Sequence, residues 1–557
     1  MRRFVETCDA VAATTKKTEK VRLVSDYIKT LSTDDAARAA VFLTGRPFPR
    51  REERALGIGG SNLAKLLATL AEKNAEDLGQ VYRQHGDLGD MAEQLLRVRN
   101  VAGRVSLSEV AAFFEQLPSL RTQSGKLAAL RNIFEKASAG EVKYIIKIIT
   151  GDLRIGLKES LVEEAIAKAF ERLLDAVRRA NMLTGDIAET LRFAATDQLA
   201  STPMRLFHPI GFMLATPVET AVQIFKDYAG TMVVEEKYDG IRAQVHKSGA
   251  RVKMFSRTLD EITEFPELVT PLAGLPGDLI LDGEILAWHG SRPLPFTELQ
   301  KRLGKKQMDL WTQHEIPVRF IAFDLLYHDG DLLLDAPLAE RRRRLETILP
   351  EPPPPGIHIA PAKRCDSAEM IEQAFRESLA TGHEGIVVKS PESPYTPGHR
   401  GGFWFKLKEP FATLDVVVTA VEYGHGKRHG VLSDYTFAVR DGNRFLNIGK
   451  AYSGLTDVEI REYTNYFLNH TIEDHGFRRI VEPKVVIEVA FNNIQRSKRH
   501  DSGYALRFPR ILRLRPDKPA DKIDTLDRVA QLYAKQVTLP RHSRSDADEP
   551  ETHSSSS

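Results

Sequence analysis

Residues 235–247, EEKYDGIRAQVHK, decide how the rest of the chain is interpreted. A single lysine, Lys237, follows two acidic residues and precedes an Asp-Gly pair and an arginine. Asp239 and Gly240 suit a tight turn after a strand, which predicts Lys237 at a sheet rim and Arg242 on the next strand. A lysine becomes a nucleophile at neutral pH only where desolvation or nearby cations remove its proton. Taken alone, the stretch is best explained as a surface hairpin with salt bridges.

Composition sets the class of protein. The chain has 557 residues, of which 42% are apolar and 28% charged, so three or four globular domains are expected. The net charge of +2 leaves nucleic-acid binding open, because local basic patches matter more than the sum. The two cysteines, Cys8 and Cys365, argue against disulfides and against a cysteine-ligated zinc site, and they favour a reducing compartment. Neither a secretory leader nor a membrane span is expected.

The first 204 residues are predicted to be helical, since apolar residues recur there every three or four positions. Ser106 is a predicted N-cap with Glu109 as its capping-box partner. The stretch GDLRIGLKES at 151–160 interrupts the helical pattern. Its free amides, Arg154 and Lys158 suit a phosphate contact, although a plain turn between helices is the simpler explanation.

From residue 205 the pattern changes to short segments rich in branched and aromatic residues, which predicts strands mixed with helices. We expect an α+β domain with antiparallel sheets over 205–411. The arginine run 341–344 is interpreted as the solvated face of a helix. Strands over 412–540 are spaced like a small all-β barrel with basic loops at 424–430 and 495–500. The polar tail 541–557 is predicted to be disordered.

Further residues suited to triphosphate chemistry follow Lys237. Individually they have simpler explanations, such as edge-strand charges or core packing. Together they supply phosphate-binding cations, carboxylates for a hard divalent metal and an aromatic face for a purine. Lys406 and Lys408 lie two residues apart on one side of a predicted strand, which suits one phosphate. The set comprises Ser256, Arg257, Asp282, Glu284, Phe323, Asp324, Glu384, Lys389, Lys406, Lys408, Arg507, Arg510, Arg513, Asp517 and Lys518.

This ordered set resembles the covalent nucleotidyltransferases and, among them, the ATP-dependent DNA ligases. All six family motifs are recognisable in family order, and the resemblance covers nearly the whole chain. It implies a multidomain α+β fold with an all-α DNA-binding domain at 1–204, an adenylation domain at 205–411 and an OB-fold β-barrel at 412–540. It implies that Lys237 attacks the α-phosphate of ATP, carries AMP, and passes it to the 5′-phosphate of a DNA nick. The 3′-hydroxyl then displaces AMP.

The roles of other residues are also implied by the resemblance. Glu235 would accept a hydrogen bond from the adenine amino group and so favour ATP over GTP, while Phe323 would stack on the base. Mg²⁺ would be bound by Glu384 and Glu284. Arg242 and Glu284 would contact the ribose end, and Arg257 would contact a phosphate. The α-phosphate would be bound by Lys406 and Lys408. The departing pyrophosphate would be contacted by Arg510, Asp517 and Lys518.

Four alternatives remain open from the residues. An NAD-dependent ligase normally has a cysteine-ligated zinc element, for which two cysteines do not suffice. The stretch RFPRILRLRPDK and the helical N-terminal part disfavour a capping guanylyltransferase and an RNA ligase. A catalytically silent clamp on nicked DNA would leave the retained site residues unexplained.

The resemblance and the composition lead to four further expectations. Nicked double-stranded DNA is the expected partner, bound by a monomer that uses ATP and Mg²⁺. The expected location is a prokaryotic cytoplasm. A hinge is predicted between residues 408 and 416. Phe508 is a candidate for distorting the ends of the nick.

Overall fold

A computed structural model describes most of the chain, in two compact units. The first unit contains Met1–Pro217, Tyr228–Asp366 and Val387–Phe405, and the second contains Val218–Asp227, Ser367–Ile386 and the chain from Lys406 onward. The described residues are 1–52, 54–99, 101–226, 228–290, 292–303, 316–409, 412–424, 428 and 430–537. The predicted disordered tail, most of the basic loop at 424–430, and Pro410 and Phe411 of the predicted hinge lie outside these residues.

Helices dominate the first part of the chain and strands the rest. The α-helices are Arg2–Ala12, Lys17–Lys29, Thr33–Leu43, Gly60–Ala71, Ala75–His85, Leu88–Leu96, Leu107–Gln116, Gln123–Lys136, Ala139–Thr150, Glu159–Ala169, Leu174–Thr184, Ile187–Ala195, Val222–Phe225, Val269–Ala273, Phe296–Gln300, Leu338–Ile348, Ala368–Ala380, Asp457–Asn469 and Leu526–Val537. Short 3₁₀ turns are Arg97–Arg99, Leu117–Ser119, Leu199–Ser201, Pro266–Leu268 and Ala520–Lys522.

The strands are β1 (Thr216–Val218), β2 (Met232–Glu236), β3 (Ile241–Ser248), β4 (Arg251–Ser256), β5 (Glu261–Ile262), β6 (Leu279–His289), β7 (Arg292–Pro293), β8 (Val318–His328), β9 (Asp331–Leu332), β10 (Ile357–Ile359), β11 (Ala362–Cys365), β12 (Gly385–Lys389), β13 (Trp404–Lys408), β14 (Thr413–Tyr423), β15 (Leu432–Asp441), β16 (Arg444–Ala451), β17 (Thr471–Asp474), β18 (Arg478–Val481), β19 (Val486–Ala490), β20 (Asn493–Arg496), β21 (Tyr504–Arg507) and β22 (Arg510–Leu514). None of the helices in the described ranges is long and apolar enough to cross a membrane.

The N-terminal helices of the first unit pack around one apolar core, which confirms the helical prediction. Phe4 lies at its centre and makes edge-to-face contacts with Phe42 and Tyr144. The predicted capping box is present, because Ser106 and Glu109 bond reciprocally at the start of Leu107–Gln116. Residues 151–158 connect two helices as a loop, and Arg154 donates a hydrogen bond to the Gly86 carbonyl at 2.8 Å. The suggested phosphate contact there stays a prediction.

Two sheets follow the N-terminal helices in the chain. One has the order β1-β13-β12-β2-β11, and the other has the order β10-β8-β6-β3-β4-β5 with β7 and β9 beside β6 and β8. The expectation of antiparallel pairing was wrong for β10, which runs parallel to β8 with Ile357 opposite Phe320. A parallel neighbour needs a crossover connection, and the helix Leu338–Ile348 supplies it.

The chain passes from one sheet to the other at Lys237. Arg242 lies on the next strand, as predicted. The alternative explanation of a surface hairpin was wrong, because β2 pairs with β11 whereas β3 pairs with β4 and β6. Gly240 is required at the crossing, since a Cβ at this position would lie 2.4 Å from the backbone oxygen of Ile285. Lys237 therefore lies in a sheet-to-sheet connection rather than in a surface turn.

The second unit is built on a seven-stranded sheet. Its central strand, β14, pairs with β15, β18 and β19, while β15 pairs with β16 and β19 pairs with β22. This gives a continuous path β16-β15-β14-β19-β22. At the two ends of the path, the Ile511 amide donates to the Ser453 carbonyl at 3.0 Å. The strand pairs in the described residues do not close into a barrel.

Candidate active site

The register of β3 against β6 places Arg242 directly opposite Glu284. Arg242 donates to both carboxylate oxygens of Asp282, at 3.0 and 2.7 Å, and to the Met213 carbonyl at 2.7 Å. Its guanidinium also lies 5.4 Å from the Phe323 ring centroid. These contacts fix Arg242 in the wall of the site. Its expected contact with ribose stays a prediction.

Glu284 and Asp239 are carboxylates whose ionisation responds to Lys237. Burial raises the pKa of Glu284 to about 8, and the positive charges of Arg242 and Lys237 oppose that rise. Burial also raises the pKa of Asp239, and the charge of Lys237 again opposes it. Lys237 therefore lies in the field of two carboxyl groups held by β6 and by the sheet crossing.

Glu235 is buried on β2 and accepts from two cations. Arg342 Nη1 donates to Oε1 at 2.8 Å, and Lys389 Nζ donates to Oε2 at 2.5 Å. Arg342 also donates to the Ala360 carbonyl at 2.7 Å. Both carboxylate oxygens of the residue predicted to bind the adenine amino group are therefore already held by the protein.

The interpretation of residues 341–344 as a solvated face was wrong for two of the four arginines. Arg341 is fully buried and donates to both oxygens of Asp324, at 2.7 and 2.9 Å. A signal for this burial was available. Helical spacing puts position 341 on the apolar stripe of Leu338 and Leu345.

Aromatic rings and cations surround Phe323. Lys389 Nζ lies 4.5 Å from the ring centroid of Phe323 and 4.3 Å from that of Trp404. The buried indole Nε1–H of Trp404 meets no hydrogen-bond acceptor among the described residues. Buried donors are rarely left unpaired, so this N–H fits a bound ligand or water with an acceptor. The stacking of Phe323 on adenine stays a prediction.

Arg257 is located away from these strand interiors. It lies in the exposed turn between β4 and β5, where Ser256 and Thr258 share a hydroxyl hydrogen bond of 2.9 Å. An exposed arginine on a turn can reach a phosphate in solution, but no contact in the structure tests that role.

In the second unit, Lys406 and Lys408 project from the same side of β13, as their spacing predicts. Burial, together with the charge of Arg510, lowers the pKa of Lys408. Arg510 begins β22 and borders a cavity of about 390 Å³ that is also lined by Tyr452, Asn492 and Phe508. Arg510 and Lys408 therefore form one cationic region within this unit.

The other members of the terminal motif belong to an ion-pair network. Lys518 Nζ donates to Asp415 Oδ2 at 2.5 Å, and Arg515 donates to both oxygens of Asp415 at 2.9 Å. Asp517 accepts from Arg515 rather than from Lys518. Sequence reasoning missed Asp415 and Arg515. Their pairing spans 100 residues and leaves no local pattern.

Metal binding is consistent with the donors present, although they do not form a closed cage. Across the described residues no group of three or more His, Cys, Asp or Glu side chains is placed to hold a metal ion. Mg²⁺ typically takes only one or two protein carboxylates and completes its shell with substrate phosphates and water. Glu284 is such a carboxylate, and Glu384 lies half-buried just before β12.

Three family models match the chain in order. The model described as DNA ligase N terminus covers residues 1–167, that of the ATP dependent DNA ligase domain covers 212–408, and that of the ATP dependent DNA ligase C terminal region covers 428–518.

Curated relatives match almost end to end. A protein of Koribacter versatilis named "Probable DNA ligase" is 49% identical, over 96% of this chain and 97% of its own. A "DNA ligase" of Archaeoglobus fulgidus is 33% identical, over 97% and 99%. The solved structure titled "Pmar-Lig_PreS3" is similar in fold, with a TM-score of 0.55 and 17% identity over 92% of this chain and 99% of its own.

Proposed function

Because the chain belongs to the ATP-dependent DNA ligase family, we propose that Lys237 is the residue that carries AMP between ATP and DNA. The protein is a DNA ligase that uses ATP and Mg²⁺ to seal nicks in duplex DNA through a covalent adenylate. The observation that supports Lys237 is its position at the sheet crossing, within the field of Glu284 and Asp239. The covalent adenylate divides the joining reaction into displacements that are each easier than direct condensation.

In the first step, the neutral amine of Lys237 attacks the α-phosphorus of ATP. A P–N bond forms, the bond to the β-phosphate oxygen breaks, and pyrophosphate leaves with the electron pair. Lys237 must lose its ammonium proton before attack, and neighbouring cations favour that loss. We assign this effect to Lys406 and Lys408, which also bind the α-phosphate and offset the charge of the transition state.

Residues of the first unit bind the nucleoside. Glu235 accepts from the adenine amino group, Phe323 stacks on the base, and Arg242 with Glu284 confines the ribose. The unpaired indole N–H of Trp404 supports a ligand beside these rings. Arg257 reaches a phosphate from its exposed turn.

Glu284 and Glu384 are the residues that would hold Mg²⁺, directly or through water. Bound there, the ion would neutralise phosphate charge. A nearby cation also favours the ionised form of Glu284 and counters the effect of its burial.

Arg510, Asp517 and Lys518 are proposed to act on pyrophosphate in the first step. The region of Arg510 and Lys408 supports this role. Lys518 must exchange its contact with Asp415 for one with phosphate. The predicted hinge at 408–416 would permit such a change.

We also propose the division of the chain into a helical DNA-binding domain at 1–204, an adenylation domain at 205–411 and an OB-fold at 412–540. The path β16-β15-β14-β19-β22 and the Ile511–Ser453 hydrogen bond support an OB-fold. DNA would be gripped mainly through phosphates, independently of sequence and with strong salt dependence. The protein would act as a monomer on chromosomal DNA in a prokaryotic cytoplasm.

A nick-sealing assay tests the role of Lys237. A duplex with a labelled 5′-phosphate at the nick is incubated with ATP and Mg²⁺, beside the same duplex carrying a pre-formed DNA-adenylate. The Lys237→Ala variant should fail on the first substrate and still seal the second, because only the steps through lysyl-AMP need the amine. Equal loss on both substrates, in a variant that melts like the parent protein, would refute this assignment.

A further inference from the structure

Glu235 is held by a cation at each of its oxygens, and these cations come from distant parts of the chain. Lys389 lies at the end of β12, next to β2 in the sheet, and Arg342 comes from the crossover helix Leu338–Ile348. The Lys389 side chain is 2% exposed, and its contact with Glu235 is 2.5 Å. Arg342 is 15% exposed and contacts Glu235 at 2.8 Å. The carboxylate is thus fixed from two sides in a buried position.

Lys389 is not a phosphate-binding lysine in this arrangement. Its ammonium lies over the faces of Phe323 and Trp404 and donates to Glu235. A buried ammonium is retained only with a counter-charge and favourable contacts, and here the rings and the carboxylate provide both. The positive charge therefore acts on Glu235 at the edge of the proposed base pocket.

The two contacts determine what Glu235 can recognise. Each cation donates to a different carboxylate oxygen, so the carboxylate is held in one orientation. A carboxylate oxygen accepts hydrogen bonds. Held in this way, Glu235 matches the 6-amino group of adenine, which donates, and repels the 6-oxo group of guanine or hypoxanthine, which accepts.

We propose that Lys389 and Arg342 are positioning residues that keep Glu235 an oriented acceptor and thereby set the preference of the enzyme for a 6-amino over a 6-oxo purine triphosphate. This inference rests on the proposed base contact of Glu235. It assigns a role to Lys389, for which the motif resemblance gave none, and to Arg342, which sequence reasoning placed in solvent.

The test compares self-labelling of the full chain by α-³²P-ATP and α-³²P-ITP, since ITP differs from ATP only at the 6-position and N1. The measured quantity is the ratio of the two kcat/KM values, which does not depend on the fraction of folded protein. The ratio should fall at least about tenfold in Lys389→Met and in Arg342→Met, the effect of one charge-assisted hydrogen bond. Glu235→Gln, whose amide can donate to a 6-oxo group, should also lower the ratio of kcat/KM for ATP to that for ITP.

Arg343→Met is the matched control, because Arg343 neighbours Arg342 on the same helix but is mostly exposed and pairs with Glu340. Its ratio should equal that of the parent protein. Unchanged ratios in both Lys389→Met and Arg342→Met would overturn the inference, even if ATP labelling persists. Loss of labelling in one of them with an unchanged ratio in the other would overturn it too. Absence of ATP labelling in the parent protein would instead overturn the proposed role of Lys237.

Discussion

The arginine run 341–344 offers a sharp prediction, since adjacent residues have opposite environments. Arg341 and Asp324 are both fully buried and joined by two hydrogen bonds, and Arg341 also donates to the Ser393 carbonyl at 2.9 Å. Arg341→Met would leave the Asp324 carboxylate buried with the Leu325 amide as its remaining hydrogen-bond donor among the contacts described. Removing one partner of a buried ion pair costs about 3–5 kcal/mol.

The magnitude can be converted into a melting temperature. At about 2–4 °C per kcal/mol, the melting temperature of the transition that includes this sheet should fall by roughly 6–20 °C. Arg343→Met should leave it unchanged, because Arg343 is mostly exposed and surface pairs contribute little. The double variant with Asp324→Leu and Arg341→Met should melt above Arg341→Met alone, since it removes the uncompensated charge.

Differential scanning calorimetry of the four proteins provides the measurement. Nucleotide should be absent, because ligand binding would shift the melting temperature by mass action. If Arg341→Met had the same melting temperature as Arg343→Met, close to that of the parent protein, the buried pair would not be holding β8 to the crossover helix. The reasoning from burial would then be refuted.

Three other predictions concern the sheet crossing, pH and the terminal motif. Gly240→Ala should slow self-adenylylation at least about tenfold, because its Cβ would collide with the Ile285 carbonyl 2.4 Å away; a parent-like rate would contradict it. Burial lowers the pKa of His246 to about 3, so this residue is neutral in the folded protein near neutral pH. The free energy of unfolding should therefore fall by about 1.4 kcal/mol per pH unit as the pH drops from 6.5 toward 3. Urea titrations in which the free energy of His246→Gln depends on pH with the same slope would contradict this prediction. Asp415→Asn should speed self-labelling with ATP relative to sealing of a pre-adenylated nick, because Lys518 must leave Asp415 to reach phosphate; an equal change in both rates would argue against this exchange.

Much of the strand content was accessible from sequence, because branched and aromatic residues between turn signals mark strands locally. The same information could not assign strands to sheets. The Asp-Gly pair after β2 suits a hairpin, and only the pairing of β3 with β6 shows that the chain changes sheets there. The parallel β10 likewise depends on a crossover rather than on local pattern.

In the site, too, local residue types could be predicted from sequence and long-range contacts could not. Lys237, Glu284 and the spacing of Lys406 and Lys408 stood out because their residue types suit phosphate chemistry. Contacts between distant residues did not stand out, since the contact between Lys389 and Glu235 spans 154 residues. Arg341 was wrongly assigned to solvent, although the apolar stripe of its helix predicts its burial.

The central claim is that AMP passes through Lys237. The most direct measurement is peptide mapping by mass spectrometry after incubation with ATP and Mg²⁺, before and after a chase with nicked duplex DNA. We predict AMP on the peptide containing Lys237, its loss during the chase, and an equal amount of sealed DNA. AMP on a different lysine, or sealing without any covalent AMP on the protein, would contradict the account.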